Sequence, residues 1–171
     1  MKALKPFLTF ALFFMCAALL AQTDFSGTWS LNQSKSKFGE GGGPGGPGGP
    51  MMGPSTLVIK QAGNVLTVDR TMQGPGGDEF KLSEKYTLDG KESENTFMMD
   101  SKRKSTVTWS ADKKSLSFAS TMEMNMGGNS MEMKESETWK LGEGGKALVI
   151  DSQRPTPDGG IMNMTMVYDK K

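Results

Sequence analysis

Thioether sulfur is the most distinctive chemistry of this chain, because methionine is concentrated in one short hairpin. Met122 and Met124 alternate with polar residues, and Met131 and Met133 do the same after a Gly-Gly turn. Side chains two residues apart on a β-strand face the same side, so these sulfurs would share one face. Soft thioether ligands suit Cu(I) or Ag(I). The segment 122–133 therefore allows a soft-metal site.

The same sulfurs also suit an apolar interior. Met164 and Met166 continue the alternating pattern near the C-terminus, just before Tyr168. Methionine is flexible and polarizable, and it fills irregular cores and adaptable binding surfaces. The chain has no histidine, and its one cysteine, Cys16, lies in an N-terminal apolar run. We therefore favour core or pocket lining over metal binding, and we expect no metal or cofactor.

Several charges fall on strand faces that otherwise carry apolar residues. Neighbouring strands could pair Arg70 with Glu84, and Arg154 with Glu135 or Glu137. Because an unpaired charge is too costly to bury, such pairs would form a polar end to an apolar cavity. That arrangement suits a ligand with an apolar body and a polar head. Alternatively, a β-bulge or a wet barrel rim keeps these charges in solvent, which is the interpretation we favour.

Catalytic motifs are missing from the sequence. Without histidine there is no Ser-His pair, and there is no nucleophile elbow, zinc-ligand spacing or phosphate-binding loop. Glu135 and Glu137 lie about 7 Å apart on one strand face, which a glycosidase could use. Any solvated strand could carry the same pair, so we expect that the protein is not an enzyme.

The N-terminus predicts export. Two lysines precede a 14-residue apolar run, Phe7–Leu20, and a small residue follows it. This pattern is typical of a signal peptide, here residues 1–21 with cleavage after Ala21. No other segment approaches the roughly 20 apolar residues that span a membrane. We expect residues 22–171 to be periplasmic or extracellular, with no stable membrane insertion once the signal is removed.

Charge and length limit the classes of molecule that the protein is expected to bind. Without the two leader lysines, 18 basic residues stand against 19 acidic ones, a balance that favours neither nucleic acid nor an anionic membrane. The remaining length is that of one domain. We expect a monomer whose partner is a small apolar molecule.

Alternating apolar and polar segments, separated by Gly, Asn and Asp turns, predict an all-β fold with little or no helix. Short connections make sequence neighbours pair, so we predict a single up-and-down antiparallel β-barrel of about 8–10 strands. One segment breaks the pattern: residues 39–54 hold nine glycines and four prolines. We expect a disordered loop there, between the first two strands. The predicted strands lie near 25–32, 56–61, 65–72, 80–88, 94–101, 103–110, 115–125, 130–141, 147–154 and 161–169.

The two ends of the barrel sequence resemble a known superfamily. The segment Phe25–Leu31 is similar to the Gly-x-Trp signature of lipocalins and fatty-acid-binding proteins, the calycin superfamily. The segment Val167–Lys170 resembles the last strand of fatty-acid-binding proteins. The resemblance implies an up-and-down barrel around a small apolar molecule. Fatty-acid-binding proteins hold the ligand carboxylate with an Arg-x-Tyr pair, but here Met166 takes the arginine position and only Tyr168 remains.

The whole exported chain is more closely similar to small exported bacterial proteins described as lipocalin-like. Trp29–Phe38 and Tyr86–Ser93 match their general pattern, as do the hairpins around Trp109 and Trp139. The helical lid that follows the first strand of fatty-acid-binding proteins is replaced by the Gly/Pro segment.

These patterns together predict an exported protein that binds a small, mainly apolar ligand in a barrel lined by methionine and tryptophan. Two alternatives remain: a soft-metal protein using residues 122–133, or a closed barrel with a surface or structural role. The predicted ligand-binding residues are Arg70, Glu84, Trp109, Met122, Met124, Met133, Trp139, Met164, Met166 and Tyr168.

Overall fold

The computed structural model describes residues 22–39, 53–73, 78–97, 101–126, 129–156 and 159–171, without the side chains of residues 124–126 and 129–131. This part of the chain forms ten antiparallel strands. Its one helical element is the 3-10 turn Glu143–Gly145, and none of the described helical structure is long enough to cross a membrane. The strands are β1 Gly27–Leu31, β2 Thr56–Ala62, β3 Val65–Gln73, β4 Glu79–Thr87, β5 Glu92–Thr96, β6 Lys102–Trp109, β7 Ser115–Met126, β8 Asn129–Gly142, β9 Ala147–Pro155 and β10 Ile161–Lys170.

The strands follow one another around a nearly closed barrel. The sheet order is β4-β3-β2-β1-β10-β9-β8-β7-β6-β5, so most strands pair with their sequence neighbours and β1 pairs with β10. The prediction of an all-β, up-and-down antiparallel barrel is therefore confirmed. The connections that follow the even-numbered strands lie at one end of the barrel, here called the lower end. Those that follow the odd-numbered strands lie at the opposite, upper end.

The fifth strand differs from its predicted range of 94–101. It begins two residues earlier and ends at Thr96, because the Phe97 N–H donates to the Ser101 carbonyl and closes the connection to β6 (2.7 Å). Asn95 and Phe97 lie on the inner side, so the alternation of faces continues through the end of the strand.

β4 and β5 end the sheet and share no backbone ladder, but side chains join them. The Asn95 amide accepts a hydrogen bond from the Lys85 N–H (2.8 Å) and donates to the Lys85 carbonyl (3.1 Å). The Ser93 hydroxyl accepts one from the Thr87 N–H (3.0 Å). Asn95 thus supplies the donor and acceptor that a neighbouring strand would provide, and the seam is closed without a ladder.

Backbone conformation and close packing explain why the Gly-x-Trp segment has glycine at position 27. Gly27 has φ +149°, which L side chains rarely adopt, and a Cβ there would lie 2.9 Å from the Lys170 Cε. The Lys170 ammonium lies 5.1 Å from the centre of the Trp29 ring. The Trp29 indole N–H donates to the Phe25 carbonyl (3.0 Å). Glycine therefore lets the last strand cover the buried tryptophan.

The lower half of the barrel is filled with packed side chains. Aromatic rings contact one another: the Phe118 and Trp139 centroids are 4.6 Å apart with tilted planes, and Tyr86 meets Phe118 edge-on at 5.3 Å. Such contacts add to the free energy of apolar burial. The core cluster comprises Phe25, Trp29, Leu57, Ile59, Leu66, Val68, Tyr86, Leu88, Val107, Leu116, Phe118, Trp139, Leu148, Ile150, Met166 and Tyr168.

Most of the Gly/Pro segment, residues 40–52, lies outside the described residues, and with it most of the predicted disordered loop. Its flanks rest on the barrel interior. Phe38 packs against the core, and Pro54 is buried. A Cβ on Gly53 would collide with the Met166 sulfur, so this backbone approaches more closely than other residues allow.

Candidate functional site

Six charged side chains form a connected group inside the barrel. Glu84 is its centre: Arg70 Nε donates to Glu84 Oε2 (2.7 Å), and Arg103 Nη1 donates to Glu84 Oε1 (3.0 Å). Arg70 Nη2 also lies 3.7 Å from Glu137 Oε2. β3 and β8, which carry Arg70 and Glu137, are five places apart in the cycle of ten strands. This contact therefore spans the barrel interior.

The group continues toward β9. Arg103 Nη2 donates to Glu135 Oε2 (2.9 Å), and Arg154 Nε donates to Glu135 Oε1 (2.6 Å). Arg154 is the most accessible member, with 30% of its side chain exposed, whereas Glu84 is fully buried. Charges alternate in sign along the whole series. We call it the charge network: Glu137, Arg70, Glu84, Arg103, Glu135 and Arg154.

Mutual pairing keeps Glu137 and Arg70 ionised. Burial alone would raise the pKa of Glu137, but Arg70 and Arg103 outweigh it and lower that pKa below its ordinary value. Burial would lower the pKa of Arg70, but Glu84 and Glu137 raise it well above its ordinary value. The Trp139 indole N–H also donates to Glu137 Oε2 (2.8 Å). The network is thus a set of desolvated charges that depend on one another.

Two buried polar atoms beside the network have no partner. The Nε of Arg103 lacks an acceptor, although its guanidinium lies 4.4 Å from the centre of the Phe97 ring. The Ser152 hydroxyl, next to Glu137 in the β8–β9 register, also has none. A buried donor without an acceptor is unfavourable. Both groups could form a hydrogen bond with a bound molecule without losing an existing one.

The network divides the barrel interior into two parts. Below it the aromatic core is sealed, with Trp29, Trp139 and Tyr168 at 0% exposure. At the level of the network Leu57, Val68 and Met164 are still buried, but toward the upper end inward-facing apolar side chains are only half buried. Apolar side chains that face inward but remain accessible are what a ligand cavity requires. We define the upper chamber by six of these half-buried, inward-facing residues: Met72, Phe80, Leu82, Met122, Met133 and Met162.

The structure brings the predicted charges together. Arg70 pairs with Glu84 and Arg154 with Glu135, which are pairings that the sequence allowed. Arg70 and Glu84 are 5% and 1% exposed, so they are buried and do not lie at a wet rim. The strand register through both residues is continuous, without a bulge.

The predicted methionines separate into two groups. Met122 and Met133 face each other across β7 and β8 in the upper chamber. Met164 is buried beside Ser152, and Met166 belongs to the core. Met124 lies in β7, but its side chain is outside the described part of the structure.

The predicted aromatic residues lie in the lower half. Trp139 and Tyr168 are buried in the core, and Trp109 packs against it with a half-buried ring. Trp139 is six residues from Met133 on the same strand, a separation of about 20 Å at the usual strand rise. The tryptophans therefore do not line the same space as Met122 and Met133.

Arg103 was missed by the sequence analysis, although it joins both halves of the network. The sequence does indicate that Arg103 faces inward, because it has the same alternation phase as Val107 and Trp109 on β6. The predicted strand began at this residue, where a terminal charge is easily assigned to solvent.

Two open depressions occur on the outer face of the sheet, with volumes of about 690 and 360 Å³. Most of their lining residues face outward, but the inward-facing Glu135 and Arg154 also line the larger depression, and Ser152 and Met164 line the smaller one. Outward-facing residues lining the larger depression include Lys104, Thr106, Thr121, Glu123, Glu132 and Lys134.

Comparisons with known proteins agree with this architecture. No family model and no curated protein matches the chain. Among solved structures, the barrel is similar to the zebrafish ileal bile acid-binding protein in complex with cholic acid. The TM-score is 0.57 with 19% sequence identity, over 86% of this chain and 98% of that chain. The similarity is one of fold, an antiparallel β-barrel.

Proposed function

We propose that this is an exported protein that binds a small, mainly apolar molecule in the upper chamber. The observation that carries the proposal is the division of the barrel interior. Its lower half is a sealed core, whereas half-buried apolar side chains face inward toward the upper end. The barrel fold, shared with a protein that holds cholic acid, supports the same conclusion.

Binding would depend on shape and apolar burial. Methionine supplies half or more of the chamber's described lining, and its flexible thioether adapts to ligands of different outline. Each ligand methylene removed from water would contribute about 0.8 kcal/mol. The buried tryptophans and Tyr168 would support the floor of the chamber without touching the ligand.

The location and the kind of activity form part of the proposal. The N-terminal signal-peptide pattern supports export to the periplasm or the outside of the cell. The charge network supports binding rather than catalysis, because its carboxylates are already engaged by arginines and none is free to act as a base.

A charge placed in the chamber tests the site. We expect Met133→Lys to weaken binding of the neutral fluorophore N-phenyl-1-naphthylamine at least tenfold, because a lysine among apolar side chains must remain solvated. Glu132→Lys, exposed on the outer face of the same strand, is the matched control and should bind as wild type. Equal affinities of the two variants, with both folded by circular dichroism, would place binding elsewhere.

One observation favours the soft-metal alternative: Met122 and Met133 lie opposite each other on the inner face. A Met122→Leu/Met133→Leu double variant separates the two functions, because leucine preserves apolar volume but removes the sulfurs. We expect apolar binding to survive. Loss of tight Ag(I) binding in the double variant, measured by titration against wild type, would establish the metal role.

A further inference from the structure

We infer that the ligand carries an uncharged, hydrogen-bonding head group, such as a hydroxyl, carbonyl or amide, rather than a carboxylate or an amine. This inference rests on the proposed binding function and specifies its ligand class. It follows from the charge network, which forms the polar boundary of the upper chamber.

The first step is charge balance. The network holds three arginines and three glutamates, and each member contacts at least one of opposite sign. A barrel that recognises a carboxylate needs a cation whose charge is left unmatched. Here Glu84 bridges Arg70 and Arg103, and Glu135 bridges Arg103 and Arg154. No arginine of the network is without a carboxylate partner.

The second step is the effect of an added charge. A ligand carboxylate beside Arg103 or Arg154 would lie close to Glu135, and two carboxylates that share one site oppose each other's ionisation. A ligand amine would be repelled by the arginines for the same reason. A neutral head group avoids both penalties, because it leaves the network balanced.

The third step is the available hydrogen bonding. Arg103 Nε is a buried donor with no acceptor, and Arg103 lies opposite Met122, which lines the chamber. The Ser152 hydroxyl is a second buried group without a partner, and it lies opposite Met164. An oxygen acceptor on the ligand would satisfy the first and could exchange a hydrogen bond with the second. The structure therefore offers polar recognition without net charge.

The test compares ligands with the same chain and different heads. Decan-1-ol, decanamide, decanoate and decyltrimethylammonium would displace N-phenyl-1-naphthylamine from the exported protein at pH 8. We expect both neutral ligands to bind at least tenfold more tightly than either ion. Decanoate binding as tightly as decan-1-ol would overturn the inference while leaving the proposed function intact. Failure of the fluorophore and all four ligands to bind would overturn both.

Carboxylates enter any apolar site less readily than alcohols, so the decisive readout is how affinity changes with the charge of the network. Glu135→Gln leaves one positive charge unmatched. We expect the affinity for decanoate to rise at least tenfold relative to the affinity for decan-1-ol. Arg154→Gln leaves one negative charge unmatched. We expect the affinity for decyltrimethylammonium to rise instead, relative to the affinity for decan-1-ol. Glu132→Gln, exposed on the outer face, should change neither ratio. Unchanged ratios in both folded network variants would contradict the inference.

Discussion

Glu84 accepts hydrogen bonds from arginines of two different strands, and this single residue shows how the interior depends on pairing. A buried ion pair adds little stability compared with apolar residues of similar size, but removal of one partner leaves the other charge buried and uncompensated. The residues of the network are therefore sensitive to single substitutions. The many exposed pairs on the outer face are not, because solvent screens them.

Substitution of Glu84 should be strongly destabilising. Glu84→Gln leaves Arg70 and Arg103 short of a carboxylate, and we expect a loss of about 3–5 kcal/mol in the free energy of unfolding. Urea denaturation measures this. Glu94→Gln is the matched control, since Glu94 pairs with Lys102 on the exposed side of β5 and should change stability little. Similar losses for both variants would contradict the special sensitivity of the network to loss of one partner.

Glu137 predicts a specific pH dependence. Its pKa is lower in the folded state than the ordinary 4.5, so the unfolded chain takes up a proton first as the pH falls. Its contribution to stability is therefore present at neutral pH and is lost as the pH falls below about 4.5. We expect Glu137→Gln to be less stable than wild type at pH 7, with a difference that narrows toward pH 3. A constant difference across urea titrations from pH 7 to 3 would contradict the assignment.

At the scale of elements, the barrel is closed by two kinds of contact. Nine strand pairs are joined by backbone ladders, but β4 and β5 are joined by the side chains of Asn95 and Ser93. The Glu84–Arg103 pair also crosses this seam from the inside. The seam is therefore the place where a side-chain change can open the barrel wall.

Asn95→Ala tests the seam. It leaves the Lys85 N–H and carbonyl without partners, and we expect a cost of about 1–3 kcal/mol. Amide hydrogen exchange at Lys85 should become faster, which separates local opening from general destabilisation. Thr96→Ala, exposed on the next position, should leave exchange at Lys85 as in wild type. Unchanged exchange in Asn95→Ala would mean that the seam is held by other contacts.

At the scale of the whole molecule, the sheet forms one barrel whose interior has two differently packed parts. The lower half supplies the apolar burial that folds the chain, and the upper half leaves similar side chains accessible. The charge network separates the halves. A ligand could therefore enter or leave the chamber without disturbing the core.

The proposed export predicts the mass of the secreted protein. The N-terminal pattern places cleavage after Ala21, so the protein recovered after secretion should have the mass of residues 22–171. Mass spectrometry under denaturing conditions measures it. A mass equal to the full 171 residues would show that the N-terminal segment is retained.

The sequence alone determined the architecture, because alternation and turn residues are local properties that each strand carries by itself. The ten strands, their order and most inward faces follow from that local pattern. Even the pairing of Arg70 with Glu84 could be inferred from the sequence, since adjacent strands joined by one connection have a predictable register. The Gly-x-Trp segment likewise indicated the barrel type, although not the role of Lys170.

Only the tertiary structure decided which inward side chains share a space. Trp139 and Met133 lie on the same face of one strand, but barrel closure puts the tryptophan in the sealed core and the methionine in the accessible chamber. Arg103 joins Glu84 to Glu135 because closure brings β4, β6 and β8 around one interior. Contacts across a barrel depend on the curvature of the whole sheet, and no local pattern encodes them.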